Sequence, residues 1–115
     1  RFDLTGLSNV TDVVLDYNRR MTDLPTGLET LSKLARLTAS NCSLKKVDET
    51  ILNCPELFLV DFHGNKNLSK IPAKISGMEN IIAICIDDTG IDNDLMKDLK
   101  VNRRSNDVSI IKYDS

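Results

Sequence analysis

A short apolar pattern recurs every 23 or 24 residues, and this periodicity restricts the possible folds more than any other feature of the chain. The copies start at Val10, Leu34, Leu57 and Ile81, and a fifth start, 24 residues further on, falls at Ser105. Apolar residues also recur three and six positions before each start, and three and five positions after it. Twenty-three of these 25 positions are apolar, against about 10 expected by chance for such a composition. The exceptions, Asn102 and Ser105, both belong to the fifth copy.

The spacing within a copy predicts a short β-strand. The last two apolar residues, such as Val60 and Phe62, are two positions apart, which places them on one face of a strand. One strand of about five residues cannot bury that face alone, whereas stacked neighbouring copies can. The repeat therefore predicts short strands stacked side by side.

A polar position follows each of the first four strands. It is occupied by Asn18, Cys42, Asn65 and Thr89. Each side chain can form a hydrogen bond with the backbone of a sharp turn, whose amide and carbonyl groups need partners. We predict that Asn65 is buried and bonded to the turn, whereas Asn67 is exposed.

These columns together resemble the leucine-rich repeat family, whose pattern is L-x-x-L-x-L-x-x-N/C-x-L. Residues 65–72, with the sequence NKNLSKIP, are similar to the plant-type subclass of 24-residue repeats, and the resemblance covers residues 4 to 113. The fourth repeat departs from the pattern, with Thr89 in place of Asn and no Pro. The fifth has Tyr113 in the place of that Asn, and the cysteine-rich caps of the family are absent.

The resemblance implies an α/β fold, a right-handed solenoid with a concave parallel β-sheet and an irregular or short-helical convex side. Residues 26–33, 48–53 and 93–101 would form convex segments, and the polar run at residues 92–94 followed by residues 95–99 predicts a capped helical turn. We interpret residues 1–115 as a single domain of about four full repeats and a partial fifth. Because the chain starts with Arg1, and Leu4 and Leu7 match the end of a preceding repeat, we expect it to be a fragment of a longer chain.

Composition disfavours several classes of function. The net charge of −2 lacks the basic excess of nucleic-acid-binding domains;. The longest apolar run, residues 81–86, is too short to span a bilayer;. Three cysteines cannot all pair, which favours a reducing, cytoplasmic location;. Three glycosylation-type triplets, at Asn9, Asn41 and Asn67, leave open the alternative of a secreted protein or the extracellular part of a receptor.

Few residues offer catalytic chemistry. The chain has no phosphate-binding loop, nucleophile elbow or C-x-x-C motif;. On neighbouring strands, Asp61 and His63 would lie beside Cys85 and Asp87, a set able to bind a transition metal or to activate a thiolate. Four unrelated surface residues are the simpler interpretation. We therefore expect no enzymatic activity, no cofactor and no metal.

The strand positions outside the core pattern instead predict a binding surface. Acidic residues dominate these positions, while basic residues occupy the adjoining turns. We predict that the concave face binds a protein or peptide with a basic segment. The predicted contact residues are Asp16, Tyr17, Arg36, Thr38, Ser40, Asn41, Leu59, Asp61, His63, Cys85, Asp87 and Asp88. The alternative is an assembly subunit held in a larger complex through its edges and convex side, and the open ends predict end-to-end contacts between chains.

Overall fold

A five-stranded parallel sheet organises the molecule, which is known from a computed structural model describing residues 2–113. Its strands are each three residues long and lie side by side in chain order. They are β1 (Asp12–Val14), β2 (Arg36–Thr38), β3 (Leu59–Asp61), β4 (Ala83–Cys85) and β5 (Ser109–Ile111). The predicted α/β character and parallel sheet are confirmed.

A helix lies between each of the consecutive strands from β1 to β5. Three are short 3₁₀ helices, at Leu28–Thr30, Glu49–Asn53 and Ala73–Gly77, and the fourth is an α-helix, α1, at Asn93–Asn102. The predicted cap is confirmed, because the Asp92 side chain accepts a hydrogen bond of 2.9 Å from the Leu95 amide;. Each helix contacts the next along the chain, so the helices follow the same order as the strands.

The core consists of the repeating apolar positions. In the middle copies the strand positions are buried completely, as at Leu37 in β2, Val60 in β3 and Ile84 in β4. The helices contribute Leu28, Ile51, Ile75 and Leu99 to the same core cluster. The first copy is less well covered: Val10 and Leu15 are only partly buried, because no earlier copy packs against them among residues 2–113;.

The polar position after each of the first four strands forms hydrogen bonds with the turn, as predicted. The side chains of Asn18, Asn65 and Thr89 each donate to the carbonyl three residues earlier, at 2.6, 2.8 and 2.7 Å. The Cys42 thiol donates to the Leu15 carbonyl at 3.2 Å. Asn65 is fully buried and Asn67 is exposed, so both predictions for these residues are confirmed.

The fifth copy differs from the predicted alignment by two residues. Equivalent residues of successive strands are 24, 23 and 24 positions apart from Val13 to Ile84, but Ile84 pairs with Ile110, 26 positions on. The prediction that Val108 is equivalent to Ile84 is wrong. Val108 instead occupies the start of the copy, since its amide bonds to the Ser105 carbonyl as the Ile81 amide bonds to that of Met78.

The longer helix α1 accounts for this difference. It occupies ten residues between β4 and β5, where the earlier copies hold 3₁₀ helices of three or five residues. Val108 is nevertheless buried. Tyr113 is likewise shifted. Its amide donates a hydrogen bond to the Asp87 carboxylate, as the Ser40 amide donates to Asp16, so Tyr113 does not occupy the place of the turn Asn.

Candidate functional site

The sheet has one face that is not part of the core, here called the outer face. It comprises the strand residues that alternate with the buried ones, together with those that follow at the carboxyl ends. Three rows of neighbours run across it: Asp12, Arg36, Leu59, Ala83 and Ser109; Val14, Thr38, Asp61, Cys85 and Ile111; Asp16, Ser40, His63, Asp87 and Tyr113. All of these residues except Ser40 are exposed or half-buried.

The acidic charge of the outer face is partly balanced within the face. Asp12 forms a salt bridge with Arg36, with 3.2 Å between the carboxylate and the guanidinium. Asp61 lies 2.7 Å from Nδ1 of His63. Asp87 and Asp88, further along, have no basic partner within salt-bridge distance in the part of the chain that the structure describes. Asp61, Asp87 and Asp88 thus place negative charge over β3, β4 and the turn that follows β4, and Asp16, at the end of β1, also has no basic partner among residues 2–113.

Several of these carboxylates also hold the backbone. Asp16 accepts a hydrogen bond of 2.8 Å from the Ser40 amide on the next strand, and Asp87 accepts one of 2.9 Å from the Tyr113 amide. Asp61 accepts the His63 amide at 3.0 Å. These carboxylates therefore have a structural role besides any contact with a partner. These three satisfy amides at the strand ends.

Three other predicted contact residues lie in a turn that requires a left-handed backbone. Tyr17, Asn41 and Asp88 have φ values of 65°, 54° and 54°, and Gly64 has the same conformation at the equivalent position of the third copy. Asn and Asp tolerate this conformation better than most residues. A Cβ at Gly64 would collide with the Asn41 side chain. Backbone geometry therefore explains in part why Asn and Asp occupy positions 41 and 88. Tyr17, by contrast, is 66 % exposed, and its ring lies 5.8 Å from the Arg19 guanidinium carbon.

The second strand offers less accessible surface than predicted. Ser40 is only 4 % exposed, so it offers little surface for contact with a partner. The Thr38 hydroxyl oxygen is buried and has no hydrogen-bond partner among residues 2–113. Arg36 remains exposed and Leu59, beside it on β3, is half-buried.

Three side chains from β3 and β4 meet near the centre of the outer face. The ligand-type atoms of Asp61, His63 and Cys85 all lie within 4.8 Å of one another. The fourth member of the predicted set, Asp87, lies outside this group. Burial raises the pKa of the Cys85 thiol, and the charges of Asp61 and Asp87 raise it further;. The thiol is therefore a poor nucleophile near neutral pH unless a cation is bound.

The sequence predicts an open apolar end at Leu4 and Leu7, but the reasoning missed the exposed Phe2 and Val14 beside β1. Val14, on the outer face, is 64 % exposed, and Phe2 and Leu7 at the same end are 65 % and 49 % exposed. Phe2 and Tyr17 also line an open groove of about 700 Å³ together with Met21;. The signal was available, because Val14 stands at a non-core position where a polar residue is typical.

Comparisons with known proteins identify no relative: no family model matches the chain, and no curated protein matches it. Within the described residues, no helix is long and apolar enough to cross a membrane.

Proposed function

We propose that this chain is a leucine-rich-repeat solenoid module and that it binds a partner protein or peptide across the outer face. The strand order, the repeated register and the hydrogen-bonded polar position after each strand support the repeat assignment. The outer face would then be the concave side of the solenoid. Such repeats offer an extended surface, which suits a peptide or protein rather than a small molecule.

One observation carries the binding proposal. The outer face continues across five strands, and apart from Ser40 its side chains remain exposed or half-buried. Leu59 and Val14 supply apolar contact area beside charged groups, a mixture that is common in protein interfaces. Because Asp61, Asp87 and Asp88 concentrate negative charge over β3 and β4, the favoured ligand is an extended segment with Lys or Arg residues.

The experiment compares two charge-neutralised variants on an array of synthetic peptides of graded net charge. Asp61→Asn with Asp87→Asn removes two charges from the outer face but keeps the oxygen atoms that accept the backbone amides. The matched control, Glu29→Gln with Glu49→Gln, removes two charges from the 3₁₀ helices. Wild type should retain the basic peptides, the first variant should lose them, and the control should behave like wild type.

Equal retention by all three proteins, or no preference for basic peptides, would refute the proposal. The alternative is an assembly subunit that uses its edges and its helical side. The exposed Phe2, Leu7 and Val14 at the β1 end favour it;. Loss of retention only in the Glu29 and Glu49 variant would support this alternative.

A further inference from the structure

We propose that Asp61, His63 and Cys85 form a binding site for a divalent transition-metal ion of the zinc type. The inference does not depend on partner binding. It rests on three different donor groups whose ligand atoms lie within 4.8 Å of one another. They come from two adjacent strands, since Asp61 ends β3, Cys85 ends β4 opposite it, and His63 follows two residues after Asp61.

The donor types select the class of metal. Mg²⁺ and Ca²⁺ prefer oxygen ligands alone, whereas thiolate and imidazole favour zinc, cobalt and copper. A tetrahedral zinc ion holds nitrogen, oxygen and sulfur ligands about 3.3–3.7 Å apart, given its usual bond lengths. The group is already near this size. Side-chain rotations that move the ligand atoms by about 1 Å would complete the site. Nδ1 of His63 lies 2.7 Å from the Asp61 carboxylate, and this contact would be replaced if Nδ1 became the ligand.

Neighbouring groups hold the donors in place. The His63 amide donates to Asp61 at 3.0 Å, which orients the carboxylate. The Asn41 side-chain nitrogen lies 3.4 Å from Nε2 of His63 on the far side of the ring. Such outer contacts fix the orientation of a ligating imidazole. The His63 side chain remains 42 % exposed, so a fourth position is open to water, as in metal sites that keep an exchangeable ligand.

The charge around the group favours a cation. Asp61 and Asp87 both face Cys85, and both disfavour its thiolate in the absence of a cation. Arg36, a basic side chain on the same face, is paired with Asp12. A bound dication would offset both carboxylates and stabilise the thiolate, because metal binding releases the proton of the coordinating thiol.

The test is a titration of the reduced, metal-free full chain with Co²⁺ at pH 7.5, followed by displacement with Zn²⁺. Wild type should bind one equivalent and develop the thiolate-to-cobalt charge-transfer absorption. Cys85→Ser should abolish that absorption, and Cys85→Ser and His63→Ala should each weaken binding by at least about 10-fold, since even outer-shell changes have effects of this size. Circular dichroism checks that each variant is folded.

Two control variants separate this site from others. Cys42→Ser removes a buried thiol and keeps a hydroxyl donor for the turn, while Asp12→Asn removes an exposed carboxylate elsewhere on the outer face. Both should bind cobalt like wild type. Any of three results would overturn the proposal. The charge-transfer absorption persists in Cys85→Ser, wild type binds cobalt without this absorption, or wild type shows no saturable binding at millimolar Co²⁺.

Discussion

Replacing Asn65 by Ala removes the most heavily bonded turn side chain described in the structure. The side-chain nitrogen of Asn65, Nδ2, donates to the backbone carbonyls of Ala39 and Phe62, both at 2.8 Å. Its oxygen accepts the Leu44 amide at 3.0 Å. Asn65 and all three partner residues are 0 % exposed. The substitution therefore leaves one buried donor and two buried acceptors without their side-chain partner, while the chain around them remains packed.

The expected loss of stability follows from that count. A buried polar group left unpaired costs about 1–3 kcal/mol. Three groups set an upper range near 9 kcal/mol, but water entering the vacated volume would satisfy some of them. We therefore expect a loss of about 3–5 kcal/mol in the free energy of unfolding. For a domain of this size the urea midpoint should fall by at least about 1 M.

Two matched substitutions test the reasoning in the same urea titration. Asn18→Ala removes one hydrogen bond, of 2.6 Å, at an exposed position and should cost about 1 kcal/mol;. Asn67→Ala changes an exposed side chain and should stay within about 0.5 kcal/mol of wild type;. The order Asn65, Asn18, Asn67 is the essential result. Equal midpoints for the Asn65 and Asn67 variants would refute the assignment of the turn.

Three further outcomes are expected. In the native protein a thiol reagent should modify Cys85 before the other two cysteines, because those two are buried. If folded Cys85→Ser reacted with the reagent as fast as folded wild type, this expectation would be contradicted. Burial raises the pKa of Cys54 from 9.0 to about 11, so the unfolded chain loses this proton first as the pH rises. The free energy of unfolding should accordingly fall between pH 9 and 11, and this group should contribute at most about 2.7 kcal/mol to the loss. In urea titrations across that range, the free energy of unfolding of Cys54→Ala should fall less steeply than that of wild type. Finally, Val14→Lys should reduce the concentration-dependent self-association expected at the β1 edge, as measured by sedimentation, because a charge opposes edge pairing. Ile82→Lys changes an exposed position away from that edge and should not reduce self-association. A wild-type protein that is monomeric at every concentration would refute the expectation.

The repeat made most of the architecture predictable from sequence. Apolar residues two apart identify the buried side of each strand, and the same spacing in successive copies requires the strands to lie side by side. The capped helix at Asp92 and the buried Asn65 also followed from local chemistry, because a cap and a turn need specific hydrogen-bonding side chains;. These features depend on residues near one another along the chain or at one fixed period.

The sequence by itself thus determined which side chains enter the core and which positions close the turns. Only the tertiary structure decided the register of the last strand, because α1 occupies more residues than the 3₁₀ helices and shifts Ile110, not Val108, opposite Ile84. It also decided that Ser40 is covered, that Asp16 and Asp87 hold backbone amides, and that Asp61, His63 and Cys85 meet without Asp87. Periodicity specifies the face on which a side chain lies. Its hydrogen bonds and its distance from a neighbour depend on how adjacent copies pack, and that is a property of the folded chain.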